Sequence, residues 1–170
     1  MIVFDLNGEL IPSKQAAGFE IGTSLQIIMS KFESNSITYF NGSNLNDALV
    51  NNDKFLIKKN SLPSDSANTT TFHKNDVVRL VFNGFGKLFC IFVFNDYFGK
   101  FKNNIAIGTK LINVTKFSKL YYDEGHEMHY MLDNNEDIIP GISFVSEEES
   151  IENSPNQVIS SFCIHDWSSQ

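Results

Sequence analysis

The chain has 170 residues, 42% of them hydrophobic and 13% aromatic with 16 Phe, which is enough apolar surface for one packed domain. Its net charge of −7 is unevenly spread: all 13 Lys and Arg lie at or before Lys119, so residues 1–119 carry +4, and residues 120–170, with 11 acids and no Lys or Arg, carry −11. That balance, with Arg79 as the single arginine, argues against a nucleic-acid ligand, and no apolar run is long enough to span a bilayer.

Met1-Ile2-Val3-Phe4-Asp5 has no basic stretch ahead of an apolar one, which argues against a signal peptide. Cys90 and Cys163 both lie inside apolar runs and read as free core thiols, which places the protein in the cytoplasm.

In chain order, Met1 to Leu6 predicts a strand, and Asn7-Gly8 a hairpin turn before Glu9-Leu10-Ile11. Thr23 to Met29 predicts a short helix capped by Thr23 or Ser24, with Leu25, Ile28 and Met29 on one face. Ser36 to Phe40 predicts a strand ended by Asn41-Gly42, and Asn44 to Leu49 another helical turn. Residues 60–71 are small and polar and predict a flexible loop.

Val77 to Phe82 and Lys87 to Asn95 are nearly continuous hydrophobe around Asn83-Gly84-Phe85-Gly86, which predicts a hairpin at the covered centre of a sheet, with Val81 and Phe89 to Val93 in the core. Tyr121 to Leu132 predicts a second hairpin around Asp123-Glu124-Gly125. Pro140-Gly141 leads into a strand from Ile142 to Val145, an acidic loop spans residues 146–157, and Val158 to His165 closes the sheet. Ile21-Gly22-Thr23-Ser24-Leu25 recurs as Ile107-Gly108-Thr109-Lys110-Leu111, and Ser36 to Phe40 is echoed by Ser118 to Tyr122. The chain is thus expected to form a single α+β domain over residues 1–170, with a mostly antiparallel β-sheet, two or three short helices and two weakly repeated helix–strand units.

Motifs for chemistry are sparse. His126 and His129 are three apart on an alternating segment, so they point to opposite faces and could not share a metal. Cys90 lies mid-strand, where a thiolate is poorly solvated, and no Gly-x-Ser-x-Gly turn presents a serine. Gly84-Phe85-Gly86 lacks the ending of a phosphate loop, and Asp133 to Asp137 lacks the central glycine and closing Glu of a calcium loop. No cofactor, metal or catalytic residue is expected, and the protein reads as a binding protein, not an enzyme.

What remains is an acidic surface interleaved with tyrosines. Its expected partner-binding residues are Tyr121, Tyr122, Asp123, Glu124, Glu127, Tyr130, Asp133, Glu136, Asp137, Glu147, Glu148, Glu149 and Glu152. Tyrosine supplies contact area with a polar tip, and carboxylates meet Lys or Arg on a partner.

Ile107-Gly108-Thr109-Lys110-Leu111, Leu120-Tyr121-Tyr122-Asp123-Glu124 and Ile139-Pro140-Gly141-Ile142-Ser143-Phe144, with Leu80-Val81-Phe82-Asn83-Gly84 before them, give residues 75–165 a further reading. The segment resembles small bacterial immunity proteins of polymorphic-toxin systems, including those of contact-dependent growth inhibition. The resemblance implies a cytoplasmic protein that binds and neutralises one cognate toxin C-terminal domain, with neither nucleic acid nor membrane as partner. Many such toxins are nucleases with basic clefts, which suits an acidic inhibitor. The family carries no shared catalytic residues, so the site residues above rest on surface charge. The alternatives are an adaptor or ligand-binding module with no toxin partner, and an enzyme acting on a small substrate.

Overall fold

The computed structural model describes residues 4–42, 44–50, 55–60, 69–75, 77–147 and 149–169. Its first element is a hairpin of β1 (Gln15–Ala16) and β2 (Phe19–Glu20), turned by Ala17 and Gly18 at φ 53° and 83°, the double positive φ of a type I′ turn. The expected hairpin at Asn7-Gly8 does not form among the described residues. The backbone there is engaged elsewhere: Phe98 and Gly99 donate to the Leu6 carbonyl, Leu10 donates to Lys100, and the Tyr97 hydroxyl donates to the Gly8 carbonyl at 2.6 Å.

Ser24 caps α1 (Leu25–Met29), its Oγ accepting from the Ile27 amide at 3.3 Å, and Ile28 is buried with Leu25 and Met29 packed beside it. After a 3-10 turn at Ser34–Ser36 come β3 (Ile37–Tyr39) and α2 (Leu45–Val50). The remaining strands are β4 (Phe55–Asn60), β5 (Thr69–Lys74), β6 (Val78–Phe82), β7 (Leu88–Val93), β8 (Lys119–Asp123), β9 (Met128–Leu132), β10 (Ile138–Val145) and β11 (Ser161–His165). The loop expected over 60–71 is therefore narrower: Asn60 ends β4 and Thr69 opens β5, while 61–68 lie outside the described residues.

These strands form one nine-stranded sheet in the order β3-β4-β5-β6-β7-β11-β10-β9-β8, antiparallel throughout except where β3 runs parallel to β4. It is two four-stranded meanders, β4–β7 and β8–β11, joined where β7 and β11 pair antiparallel. The protein is thus α+β with a mostly antiparallel sheet, and β7 is the middle strand of nine. No helix among the described residues is long and apolar enough to cross a membrane.

Period-2 alternation splits the sheet residues between two faces. Leu80, Ile91, Val93, Ile142, Phe144, Phe162 and Ile164 build the main core, covered by the N-terminal segment, α1 and residues 97–117. Cys90, Cys163, Tyr130 and Met128 lie on the other face, under Trp167 of the closing 3-10 turn Trp167–Ser169. That second cover is thin. Val81 and Phe92, expected in the core, are only half-buried there, and the Arg79 guanidinium lies over the Phe92 and Phe94 rings at 5.6 and 5.1 Å.

β10 begins at Ile138, earlier than the expected Ile142, because its pairing with β9 shifts between Ile138 and Ser143. The bulge absorbs Pro140, which has no N–H to give a ladder, and Gly141, whose φ of 101° suits glycine. The repeated Ile-Gly-Thr segments also take similar forms. Gly22 and Gly108 have φ of 86° and 81°, and each leads into a helical turn, α1 or the 3-10 turn Leu111–Lys116. The second echo is not equivalent in space: β8 is the outer strand of its meander, whereas β3 is an added parallel strand beyond β4.

Candidate protein-binding surface

The β8–β9 hairpin places Asp123, Glu124 and Glu127 at one end of the second meander. Asp123 is the turn's internal cap: Oδ1 accepts from the Gly125 amide at 2.9 Å, and Oδ2 lies 2.7 Å from His126 Nδ1. The His126 ring contact, aided by the Gly125 and His126 amides, holds the Asp123 carboxyl below its ordinary value. Glu124 and Glu127 have exposed side chains.

The 146–157 loop emerges at the same end, because β10 runs antiparallel to β9 with Phe144 opposite His129. Two buried residues fix it. Ile151 enters the core, and Gln157 clasps the loop by donating from Nε2 to the carbonyls of Glu149 and Ser150 at 3.1 and 3.2 Å. Ser146 donates to Gln157 Oε1 and lies 3.3 Å from His129 Nδ1. Glu147, Glu149 and Glu152 therefore project from an anchored loop, with Ser154 donating to Glu147 at 2.8 Å. Glu148 lies outside the described residues.

The other expected residues are elsewhere. Asp133, Glu136 and Asp137 form the β9–β10 turn at the opposite end, separated by the five residues of β9, about 17 Å at 3.3 Å per residue. There Asp133 Oδ1 accepts from the Asn135 and Asp137 amides at 2.8 and 3.0 Å, and Glu136 pairs with Lys119 at 2.7 Å. Each partner shifts the other toward its charged form, Lys119 upward and Glu136 downward. So the acids do not make one continuous patch. They make an open end and a second end partly neutralised by Lys119.

Tyrosines are divided too. Tyr121 is 48% exposed. Tyr122 is half-buried on the opposite face, its ring 4.8 Å from that of His129. Tyr130 must be removed from the surface: it is 2% exposed, packed with Met128 and Cys163, and burial pushes its hydroxyl up to about 12. Opposite Tyr121 in the ladder, it faces inward because Trp167 covers that part of the second face.

A three-ring cluster beside this end was not foreseen from the residues alone. Trp167 lies between His165 and His126, at 4.3 and 6.1 Å with interplanar angles of 17° and 16°. The local signal was only that His165 ends an apolar strand two residues before the single tryptophan.

Other concavities lack convergent chemistry. A cleft of about 460 Å³ beside the β6–β7 turn is lined by Ser24, Gln26, Lys59, Thr70 and Phe85, and a groove of about 360 Å³ by Leu10, Pro12, Phe101, Phe117 and Met131. Among the described residues no three His, Cys, Asp or Glu are close enough to hold a metal. Ser146 and His129 do not form a nucleophile–base pair in this arrangement, because the Ser146 hydroxyl donates to Gln157 Oε1.

The chain is therefore an α+β protein of two antiparallel meanders, with opposite formal charge along its length and an open acidic end. The same fold occurs in the crystal structure of the uncharacterized protein yfeY from Escherichia coli, with a TM-score of 0.53 and 15% sequence identity over 94% of this chain and 99% of that one. No family model matches the chain, and no curated protein does.

Proposed function

We propose that this protein binds a basic protein partner through the acidic end of its second meander, and that it acts as an immunity protein, neutralising a cognate toxin domain in the cytoplasm. One observation carries the reading: residues 120–170, with no Lys or Arg, form most of one meander, and Glu124, Glu127, Glu147, Glu149 and Glu152 emerge at the same end from two anchored turns. Lys58, Lys59 and Lys74 lie on β4 and β5 in the other meander. A molecule polarised in this way orients a charged partner before contact, and Tyr121 offers aromatic area beside the acids. A nuclease toxin, whose cleft must attract phosphates, presents the complementary charge.

The experiment is stopped-flow association with the toxin C-terminal domain encoded beside this chain's gene, paired with an assay of that toxin's activity. The expected result is inhibition at one-to-one stoichiometry, with an association rate that falls as salt shortens the Debye length from about 8 Å near physiological strength to about 3 Å at 1 M. Absence of binding would remove the toxin reading. Binding without salt dependence would move the interface away from the acids.

A further inference from the structure

We propose that Cys90 and Cys163 form an intramolecular disulfide when the chain folds in the presence of a small-molecule disulfide, stapling the two meanders together at their junction. The two cysteines of the chain are 73 residues apart in sequence, yet their Sγ atoms lie 3.0 Å apart. Non-bonded carbon atoms keep about 3.5–4.0 Å, and sulfur is the larger atom, so this approach is closer than simple packing requires. Closing to a bond of about 2.04 Å takes roughly 1 Å of movement at the sulfurs. Because diagonal neighbours stand about 7–8 Å apart where a disulfide spans about 4.4–6.8 Å between Cα atoms, β7 and β11 must also draw together locally, which the still-folding chain allows.

The positions follow from the sheet register. β7 and β11 pair with Cys163 opposite Phe92 and Cys90 opposite His165, so the cysteines are diagonal neighbours on one face. Both are buried, at 1% and 0%, against Phe89, Met128, Tyr130 and Trp167. Both thiols are free in this structure. The bond would close its loop across the single interface through which the meanders are hydrogen-bonded in the sheet, between β7 and β11.

The chemistry balances as thiol–disulfide exchange. One cysteine thiolate attacks oxidised glutathione, forming a mixed disulfide and releasing one glutathione thiolate. The second cysteine then displaces the remaining glutathione. Two S–H bonds are lost, one S–S bond forms, and the two electrons reduce one glutathione disulfide to two thiols. Timing follows from burial, which holds the Cys90 thiol well above its ordinary value and excludes the reagent. Exchange therefore belongs to the folding chain, and the folded dithiol resists oxidation. This inference is independent of the proposed partner.

The test is refolding from urea in a buffer of oxidised and reduced glutathione, with intact mass and thiol counting in denaturant as readouts. The expected product has lost two hydrogens, about 2 Da, has no reactive thiol, and unfolds at higher urea than the same protein reduced with dithiothreitol. Native protein given the same buffer should keep both thiols for much longer. Refolded monomer with two free thiols, or with glutathione on either cysteine, would overturn the proposal. Cys90→Ser and Cys163→Ser serve as controls that cannot close the bond. If either fails to fold, the mass of the wild-type product still decides.

Discussion

Leu88 and Ile159 hold equivalent places in the two meanders, each exchanging backbone hydrogen bonds with a Gly-Thr pair. Leu88 accepts from Gly22 at 2.7 Å and donates to Thr23 at 2.9 Å, while Ile159 accepts from Gly108 at 2.8 Å and donates to Thr109 at 2.9 Å. Two residues earlier, the carbonyls of Gly86 and Gln157 accept from Leu25 and Leu111 at 2.8 and 2.9 Å. Four residues further along the chain come Phe92 of β7 and Cys163 of β11, which pair with each other. That pairing is what a local two-fold axis between β7 and β11 requires. The short repeat in the sequence therefore marks a structural one, in which a Gly-Thr turn is fastened at the start of the strand by which each half meets the other.

The equivalence predicts equal costs. Gly22 and Gly108 both hold positive φ with nothing within 4 Å of an added Cβ, so Gly22→Ala and Gly108→Ala should each lose about 1 kcal/mol from backbone strain alone. Gly141→Ala should lose more, about 3 kcal/mol, because a Cβ there would strike the Ser13 amide, which donates to the Gly141 carbonyl at 3.0 Å. Urea melts compare the three directly. Equal losses at Gly141 and Gly22 would mean that Ser13 moves aside freely.

Unequal covering of the two faces sets the cost of core deletions. Phe82 and Phe162 are fully buried in the main core, so Phe82→Ala and Phe162→Ala should each cost about 3–5 kcal/mol. Phe92, half-buried on the thinly covered face, should cost about 1–2 kcal/mol when cut to Ala. Equal losses at Phe92 and Phe162 would show that the second face is covered as well as the first.

Buried histidines give the protein an acid limb. Burial, with Arg79 and Lys58 nearby, takes His73 down to about 4, and burial takes His165 to about 4 against the pull of Asp166. The unfolded chain binds protons near 6.5, so between about 6.5 and 4 it holds more protons than the folded one. The stability of neutral burial is full above that window and is lost as pH falls through it, on the order of 2 kcal/mol for each histidine. His165→Phe, which keeps an aromatic ring on Trp167, should flatten the fall in the urea midpoint between pH 7 and 4.5. An unchanged slope would place the acid sensitivity in other groups.

Much of this fold was legible in the sequence where period and punctuation agreed. Ser24 and the Leu25, Ile28, Met29 face gave α1, and the apolar runs around Asn83 to Gly86 gave β6 and β7. β5 was obscured because Thr69-Thr70-Thr71 continues a polar segment, although threonine is β-branched and suits a strand. Ala17-Gly18 was missed as a turn because alanine rarely takes φ 53°. The acidic end was readable as composition but not as geometry: Met128 to Met131 is buried on both faces, so alternation could not assign Tyr130 a side. Nor could local spacing show that Asp133 to Asp137 lies one strand length from Asp123 to Glu127.

That separation gives the sharpest test of the binding proposal. Glu124→Lys with Glu149→Lys changes net charge by the same amount as Glu136→Lys with Asp137→Lys, but at opposite ends of β9. All four side chains are exposed, and Asp123 and Asp133, which cap their turns, are left intact. If partner encounter is guided by the open end, the first pair should slow association about tenfold or more near physiological salt, and the second about twofold, since there the Debye length of about 8 Å is shorter than the strand. Dissociation should change little for either, because exposed rim charges act mainly on the on-rate. Equal slowing by both pairs would mean that the partner senses net charge only. A larger effect from Glu136 and Asp137 would transfer the interface to the β9–β10 turn, where Lys119 would then have to release Glu136 on binding.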